Sequence, residues 1–403
     1  MSRPIVEVSI YNDAHRVLLK KTPNYSEIVK LEKSGLSIDQ DLLIYCLFKE
    51  QQDRVGYRTF DDFKERLNRR MTFLEDYLVL NTTSINAQPD VKEVPKEISE
   101  YLGVGVALKL ISEIHNLTEA DWNIIPETKH PDLDFEIATD GKNVFEVECK
   151  GTFNDASRYK MKADIEKKKK YQRNKKNNNH YLYGVITSYF SESKKPAHAY
   201  VLDPEPVNIT EEPLKFQLLT RLKYYLFHLN LISKSHLLTA LANKISNLEN
   251  SSDFKLLSKV SLKNASGYTM KFPSSIKNKI NFGIQDLFGD VICFTESSYL
   301  FIGFCSDLIQ VLIDQDFDEL VDFSVGPRSI YVSGEIKVKE INYPYSMFED
   351  MPKEDYLTLN GTLHMCSSGR IVGRLFNESN KLLKRNKSSW PSLRDFSQPL
   401  LSD

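Results

Sequence analysis

The sequence predicts an α/β protein whose centre is a mixed sheet flanked by helices, with an N-terminal helical domain and a C-terminal α+β region. Apolar residues recur at helical spacing between residues 25 and 80. From Ser99 to about residue 205, helical and strand patterns alternate, which is typical of a mixed sheet covered by helices. Beyond residue 256, short apolar runs bounded by polar residues predict strands with one helical interruption.

A polar segment separates the first two of these regions. Residues 81–98 contain two prolines and little periodicity, which is linker composition. We therefore expect a mostly helical domain at 1–82, a linker at 83–98, the α/β core at 99–205, a helical segment at 206–255 and a strand-rich region of unknown role at 256–403.

Composition limits the class of protein but not its activity. Of 403 residues, 41% are hydrophobic, which is enough to form buried cores. The 53 basic and 55 acidic residues nearly balance, so any affinity for nucleic acid has to come from local charge. No signal peptide and no apolar stretch of about 18 residues is found, so we expect a cytoplasmic protein that contacts no membrane. Five scattered cysteines without a CxxC pair are expected to be reduced thiols.

Two alternating strand patterns flank the turn signal Asp140-Gly141. Apolar residues share one face of each pattern, because successive side chains of a strand point to opposite sides. The polar faces carry Asp132, Asp134 and Glu136 on the first strand, and Glu146, Glu148 and Lys150 on the second. A hairpin symmetric about Gly141 places Asp134 opposite Glu148, and Asp132 opposite Lys150.

This pairing predicts a metal site. Two carboxylates opposed across a ladder lie about 5 Å apart at Cβ and repel each other unless a cation lies between them. Mg²⁺ prefers one or two carboxylates together with water and phosphate oxygens, and we expect Mn²⁺ to substitute for it. Lys150 can orient or deprotonate an attacking water and offset charge that develops on a phosphodiester. Asp134, Glu148 and Lys150 are therefore the predicted catalytic residues for metal-assisted hydrolysis of a phosphate ester.

The alternative interpretation is a hairpin whose wet face simply displays charged residues in alternation. Apolar flanking residues argue that the strands are central, and a central strand with two glutamates and a lysine on one face needs a reason.

At this point the sequence resembles a known family. The segment HPDLDFEIATDGKNVFEVECKGT is similar to the signature of PD-(D/E)xK, or restriction-endonuclease-like, nucleases, with Pro131-Asp132 as the literal PD and Glu148-Cys149-Lys150 as the ExK. The resemblance covers residues 99–202, in the family's usual order of helix, hairpin, helix and strand. It implies Asp134 and Glu148 as metal ligands, with Asp132 as the second choice for the aspartate.

Many members of this family also take an acidic ligand from the helix before the hairpin. Glu100 and Glu113 are the two candidates in this sequence. A solvated helix face is the alternative explanation for each, since Gly103, Val104 and Ala107 stand where the ligand is first sought.

A basic helical segment follows the proposed site. Between Lys150 and Lys176 there are eleven Lys or Arg residues against three acids, a patch that would attract a polyanion in a salt-dependent manner. The predicted phosphate contacts are Lys160, Lys162, Lys167, Lys168, Arg173, Lys175 and Lys176. For any single lysine, a solvated surface helix is the alternative.

Two hypotheses follow. The first is a Mg²⁺-dependent endonuclease that acts on DNA, working as a homodimer or with an accessory protein; by analogy with the family, restriction or antiviral defence is its setting. The second is a catalytically inactive module that binds nucleic acid or protein. The motif does not read a 2′-hydroxyl, so the sequence leaves RNA as an alternative substrate.

Overall fold

The fold is described from a computed structural model. It describes residues 4–38, 76–80, 83–89, 94–124, 136–173, 180–190, 195–203, 213–232, 236–250, 279–282, 285–295, 298–338, 341 and 356–377. The chain divides into two compact units, one made of residues 1–55 and 69–217 and the other of residues 56–68 and 218–403.

The first unit is built on a seven-stranded mixed sheet. Its strands are β1 (Ile5–Ile10), β2 (Leu36–Ser37), β5 (Asn123–Ile124), β6 (Glu136–Thr139), β7 (Val144–Thr152), β8 (His180–Ser188) and β9 (His198–Leu202), while β3 (Leu78–Leu80) and β4 (Ile85–Ala87) form a separate pair. The order across the sheet is β2-β1-β9-β8-β7-β6-β5. Pairs β7–β8 and β1–β9 are parallel, and the remaining pairs are antiparallel. In the order of the sheet, β7, β8 and β9 are the three central strands.

Among the described residues of this unit, the helices are α1 (Asp13–Leu19), α2 (Tyr25–Ser34), α3 (Lys96–His115) and α4 (Arg158–Arg173). Helix α3 starts after Pro95 and ends at Asn116, whose left-handed φ of 53° closes the helix in the way that asparagine tolerates. It is apolar on most of its surface, as expected of a buried helix. Helix α4 connects the parallel strands β7 and β8, which need a crossover of this kind.

The two sides of the sheet are covered differently. Phe145, Val147 and Cys149 join the large apolar core beneath α3. On the other side, α4 places Ile165 against Gly184 of β8, so closely that a Cβ at Gly184 would lie 2.7 Å from the Ile165 side chain. The alternation of β7 therefore directs its apolar residues to α3 and its polar residues to the side of α4.

The structure differs from the predicted organisation at the N-terminus. Strand β1 lies inside the seven-stranded sheet beside β9, and β4 bonds through Ala87 to Phe190, so the structure groups these residues with the α/β core instead of dividing them into a helical domain and a linker. Residues 78–80, which the periodicity predicted as helical, form β3. The predicted helices between residues 39 and 75 lie outside the described residues.

The second unit contains an antiparallel sheet of six strands in the order β10-β11-β12-β15-β14-β13. The strands are β10 (Lys279–Phe282), β11 (Gln285–Thr295), β12 (Ser298–Cys305), β13 (Arg328–Lys337), β14 (Tyr356–Met365) and β15 (Arg370–Asn377). The sheet curls, because its two edge strands β10 and β13 approach each other. The helices are α5 (Pro213–Ile232), in which the boundary between the units falls after Gln217, α6 (His236–Asn250), α7 (Ser306–Asp314) and α8 (Phe317–Asp322).

These elements confirm the α/β class and the strand-rich C-terminal region. Within the described ranges, no helix has both the length and the apolar character needed to cross a membrane.

Candidate active site

The polar face of β7 is buried. Glu148 has no exposed surface, Glu146 is 6% exposed, and the Lys150 side chain is 19% exposed. Burying a carboxylate is costly unless cations or hydrogen-bond donors compensate it. The neighbours of Glu148 therefore have to compensate its charge.

Two ammonium groups converge on one oxygen of Glu148. Lys150 Nζ lies 2.7 Å from Glu148 Oε1, and Lys168 Nζ of α4 lies 2.9 Å from the same oxygen. Lys150 also contacts Asp164 Oδ2 of α4 at 3.2 Å. We call these four residues, Glu148, Lys150, Asp164 and Lys168, the Glu148 cluster. It joins the central strand to the crossover helix through two carboxylates and two lysines.

The cluster fixes the charge of Lys150. Burial alone would lower the pKa of this lysine, but the adjacent Glu148 and Asp164 carboxylates outweigh burial and raise it above its ordinary value. The side chain is therefore an ammonium group at neutral pH. In this arrangement Lys150 can orient a water molecule and neutralise negative charge, but it does not have the free lone pair that the predicted deprotonation of water requires.

The hairpin pairs its strands one residue away from the predicted register. Glu136 lies opposite Val147, and Thr139 opposite Val144. The reason is a four-residue connection, residues 140–143, in which the Asp140 carboxylate accepts hydrogen bonds from the Lys142 and Asn143 amides. Asp132 and Asp134 lie outside the described residues, and their predicted pairing with Lys150 and Glu148 rested on the register that the described part of the hairpin does not have.

The two candidate helix acids form ion pairs along their own helix. Glu100 contacts Lys96 at 3.3 Å, and Glu113 contacts Lys109 at 3.5 Å, each one turn earlier on α3. Both carboxylates are between two fifths and about half exposed. Since α3 covers the apolar side of β7 and the Glu148 cluster lies on the other side, neither acid is brought into that cluster.

The basic helix presents its lysines in two different ways. Lys160 and Lys167 are exposed, and Lys162 is partly exposed and bonded to Glu166 at 3.0 Å. Lys168, by contrast, is buried in the Glu148 cluster, so it reaches a phosphate only at that cluster. The side chain of Arg173 and the whole of Lys175 and Lys176 lie outside the description.

Sequence reasoning did not predict that Asp164 contacts Lys150 and that Lys168 contacts Glu148. Asp164 and Lys168 stand four residues apart on α4, the spacing that places two side chains on one helix face, and this was the available signal. The signal was difficult to recognise, because six other residues between 160 and 173 are also basic and Lys168 does not stand out among them.

Helix α4 carries a second charged group on its other flank. The ammonium group of Lys169, only 1% exposed, bonds to the backbone carbonyl of Asp203, and His15 Nδ1 contacts the Asp203 carboxylate. Glu166 lies 3.7 Å from His15 Nε2. These contacts tie α1 and the end of β9 to α4, so they hold the helix that carries Lys168 in place over the sheet.

The donors of the Glu148 cluster fit a divalent cation in part. The buried Glu148 carboxylate is an oxygen ligand of the kind that Mg²⁺ prefers, but two ammonium groups already compensate its charge. Among the described residues no three His, Cys, Asp or Glu side chains are grouped to hold a metal, and the predicted second ligand Asp134 is outside them. The oxygen donors that the described part of the cluster offers are the buried Glu148 carboxylate and the half-exposed Asp164 carboxylate, both in contact with Lys150.

Comparisons with models of protein families, with curated proteins and with solved structures found no match to this chain. Its fold and its site therefore have to be interpreted from their own geometry.

Proposed function

We propose that the first unit is a metal-dependent nuclease domain of the restriction-endonuclease-like type, which hydrolyses phosphodiester bonds in DNA. The observation that carries the proposal is the buried Glu148 on the central strand with Lys150 two residues later on the same face. A fold that needed only stability would be served as well by apolar residues of similar volume at these positions.

The order of elements supports the fold assignment. Helix α3, the antiparallel strands β6 and β7, the crossover helix α4 and the parallel strand β8 follow one another in the order that the resemblance implies. The ExK residues lie on β7, and α4 lies beside them.

Glu148 and Lys150 each have a task in this reaction. Glu148 supplies a carboxylate whose position is fixed by a central strand. The Lys150 ammonium can bond a nonbridging phosphate oxygen, orient a water molecule and stabilise the negative charge that grows in the transition state. Mg²⁺ or Mn²⁺, when bound at Glu148, would supply further charge neutralisation at the phosphate. The exposed Lys160 and Lys167 would attract the DNA backbone to the same side of the sheet as α4.

The test is cleavage of linear DNA, circular DNA and RNA by the purified protein, with Mg²⁺, Mn²⁺ or a chelator. We expect metal-dependent DNA cleavage that falls about 10³-fold in Glu148→Ala, which loses the carboxylate for the metal, and in Lys150→Ala, which loses the ammonium group for the phosphate. Lys170→Ala is the matched control, since Lys170 is exposed on α4 and outside the Glu148 cluster. Cleavage of circular DNA would show endonuclease action.

One observation favours the second hypothesis, a module that binds nucleic acid or protein without cutting. Two lysines of the same chain compensate the Glu148 carboxylate. With Asp164 included, the charges of the cluster sum to zero without a metal ion. Salt-sensitive DNA binding without cleavage, unchanged by Glu148→Ala, would support that hypothesis and contradict the nuclease.

A further inference from the structure

Lys168 occupies a position that its place in a basic helix does not explain. Its neighbour Lys170 is exposed, whereas Lys168 is buried and its ammonium lies 2.9 Å from Glu148 Oε1. That same oxygen already has Lys150 at 2.7 Å. Two cationic groups on one carboxylate oxygen repel each other, and burial weakens the screening between them.

We propose that Lys168 is a positioning residue which holds the Glu148 carboxylate until a divalent cation displaces it. This inference rests on the proposed function, because it takes Glu148 as the metal ligand. A cation that bonds Oε1 brings two further positive charges to an oxygen where two ammonium groups already lie, so one of them has to leave.

Lys168 is the group that leaves, for two geometric reasons. Lys150 contacts two carboxylates, Glu148 at 2.7 Å and Asp164 at 3.2 Å, so both contacts would have to be lost for it to leave the cluster. Lys168 reaches Glu148 from a different element, at the longer distance of 2.9 Å. Asp164 stands one turn before Lys168 on the same helix face and is half exposed, so a displaced ammonium has a carboxylate within reach of a small rotation.

The displacement has a functional meaning. In the absence of metal, the cluster is neutral and fixed. When metal binds, the Lys168 ammonium moves from the buried oxygen toward the half-exposed Asp164, the member of the cluster that is most open to solvent and to a phosphate. The same residue thus opposes metal binding and then adds positive charge for the substrate, which makes the affinities for metal and for DNA depend on each other.

Mn²⁺ binding by calorimetry tests this in full-length Lys168→Met, with Lys170→Met as the control. We expect Lys168→Met to bind Mn²⁺ about tenfold more tightly than the unmodified protein, because a competing charged hydrogen bond is removed. A purely structural role would leave the affinity unchanged or weaken it, and either result overturns the proposal. Lys170→Met should bind as the unmodified protein does.

A second measurement needs no variant. Reductive methylation with and without Mg²⁺, followed by mass spectrometry, compares Lys168 with its neighbours Lys169, which is buried against Asp203, and Lys170, which is exposed. We expect Mg²⁺ to increase methylation of Lys168 several-fold relative to both neighbours. No change, or a decrease at Lys168, would contradict the displacement.

The outcomes separate the two proposals. If Mn²⁺ binding depends on Glu148 but Lys168→Met does not strengthen it, the nuclease proposal stands and the proposed displacement of Lys168 is contradicted. If Glu148→Gln binds Mn²⁺ as well as the unmodified protein, or if nothing binds, both fall.

Discussion

The two faces of β7 are almost equally buried and chemically opposite. Beneath α3, Phe145, Val147 and Cys149 join an apolar core that is stabilised mainly by burial and close packing. Beneath α4, Glu146 and Glu148 are as thoroughly removed from water, together with the partly buried Lys150. The apolar face of this strand holds the fold together, whereas each charge on the polar face has to be compensated by a neighbour. We infer that the polar face serves the proposed reaction.

The largest effect is expected on the apolar face. Gly151 of β7 meets α3 so closely that a Cβ there would lie 1.9 Å from the backbone oxygen of Ser99. Gly151→Val should therefore destabilise the first unit by about 4 kcal/mol or more, since backbone atoms have to move apart. Urea denaturation followed by fluorescence of the buried Trp122, in a Trp390→Phe background, measures it. Gly326→Val is the control, because a Cβ at Gly326 would meet nothing within 4 Å; equal losses in both variants would contradict this account.

A smaller effect, with a diagnostic sign, is expected on the polar face. Glu148→Gln leaves the Lys150 and Lys168 ammonium groups close together without their shared anion and should cost about 3 kcal/mol of unfolding free energy. The combined variant Glu148→Leu, Lys150→Met, Lys168→Met should recover to within about 1 kcal/mol of the unmodified protein, because no uncompensated buried charge remains. It should also be inactive. If the triple variant is less stable than Glu148→Gln, the cluster serves the fold and not a reaction.

The smallest effect concerns pH and again lies on the apolar face. His115 stacks on Phe145 with ring centroids 3.9 Å apart, and burial lowers its pKa to about 4. The neutral ring fits its neighbours, with Nδ1 accepting from Asn24 and Nε2 lying 2.9 Å from the Tyr183 hydroxyl. Because the folded pKa is depressed, this stability is fully present above the ordinary pKa of 6.5 and is lost as pH falls toward 4.

At pH 5 the loss from His115 should be about 2 kcal/mol, at roughly 1.4 kcal/mol per pKa unit. Free energies of unfolding at pH 7 and pH 5 measure it, and His115→Gln, which does not titrate, supplies the comparison. An identical pH dependence in the two proteins would show that His115 is protonated at no cost when the protein is folded.

Local sequence patterns predicted much of the core. They could not predict how separate segments of the chain pair. The alternation of Glu146, Glu148 and Lys150 against Val147 and Cys149 was enough to assign both faces of β7, because side-chain direction in a strand depends only on residue number. The hairpin register was wrong by one residue, because it depends on how Asp140 bonds within the turn and not on the position of Gly141 alone.

Lys168 shows a different limit. Its charge was visible in the sequence, but which of several neighbouring lysines turns inward depends on the angle at which α4 crosses the sheet. The place of β1 in the sheet was equally hidden, because parallel pairing with β9 joins segments that share no local signal.

The pairing of β1 with β9 also constrains how the chain folds during synthesis. Glu7 lies opposite His198, so β1 leaves the ribosome about 190 residues before its partner exists. At roughly 5 to 20 residues per second, that interval is about 10 to 40 s. Throughout it, the edge of β1 that will pair with β9 is open to other nascent chains, whereas the opposite edge can pair with β2 as soon as residues 36–37 are made. The pairing of β1 with β9 therefore leaves a strand edge unpaired for longer during synthesis than any other described pairing of this sheet.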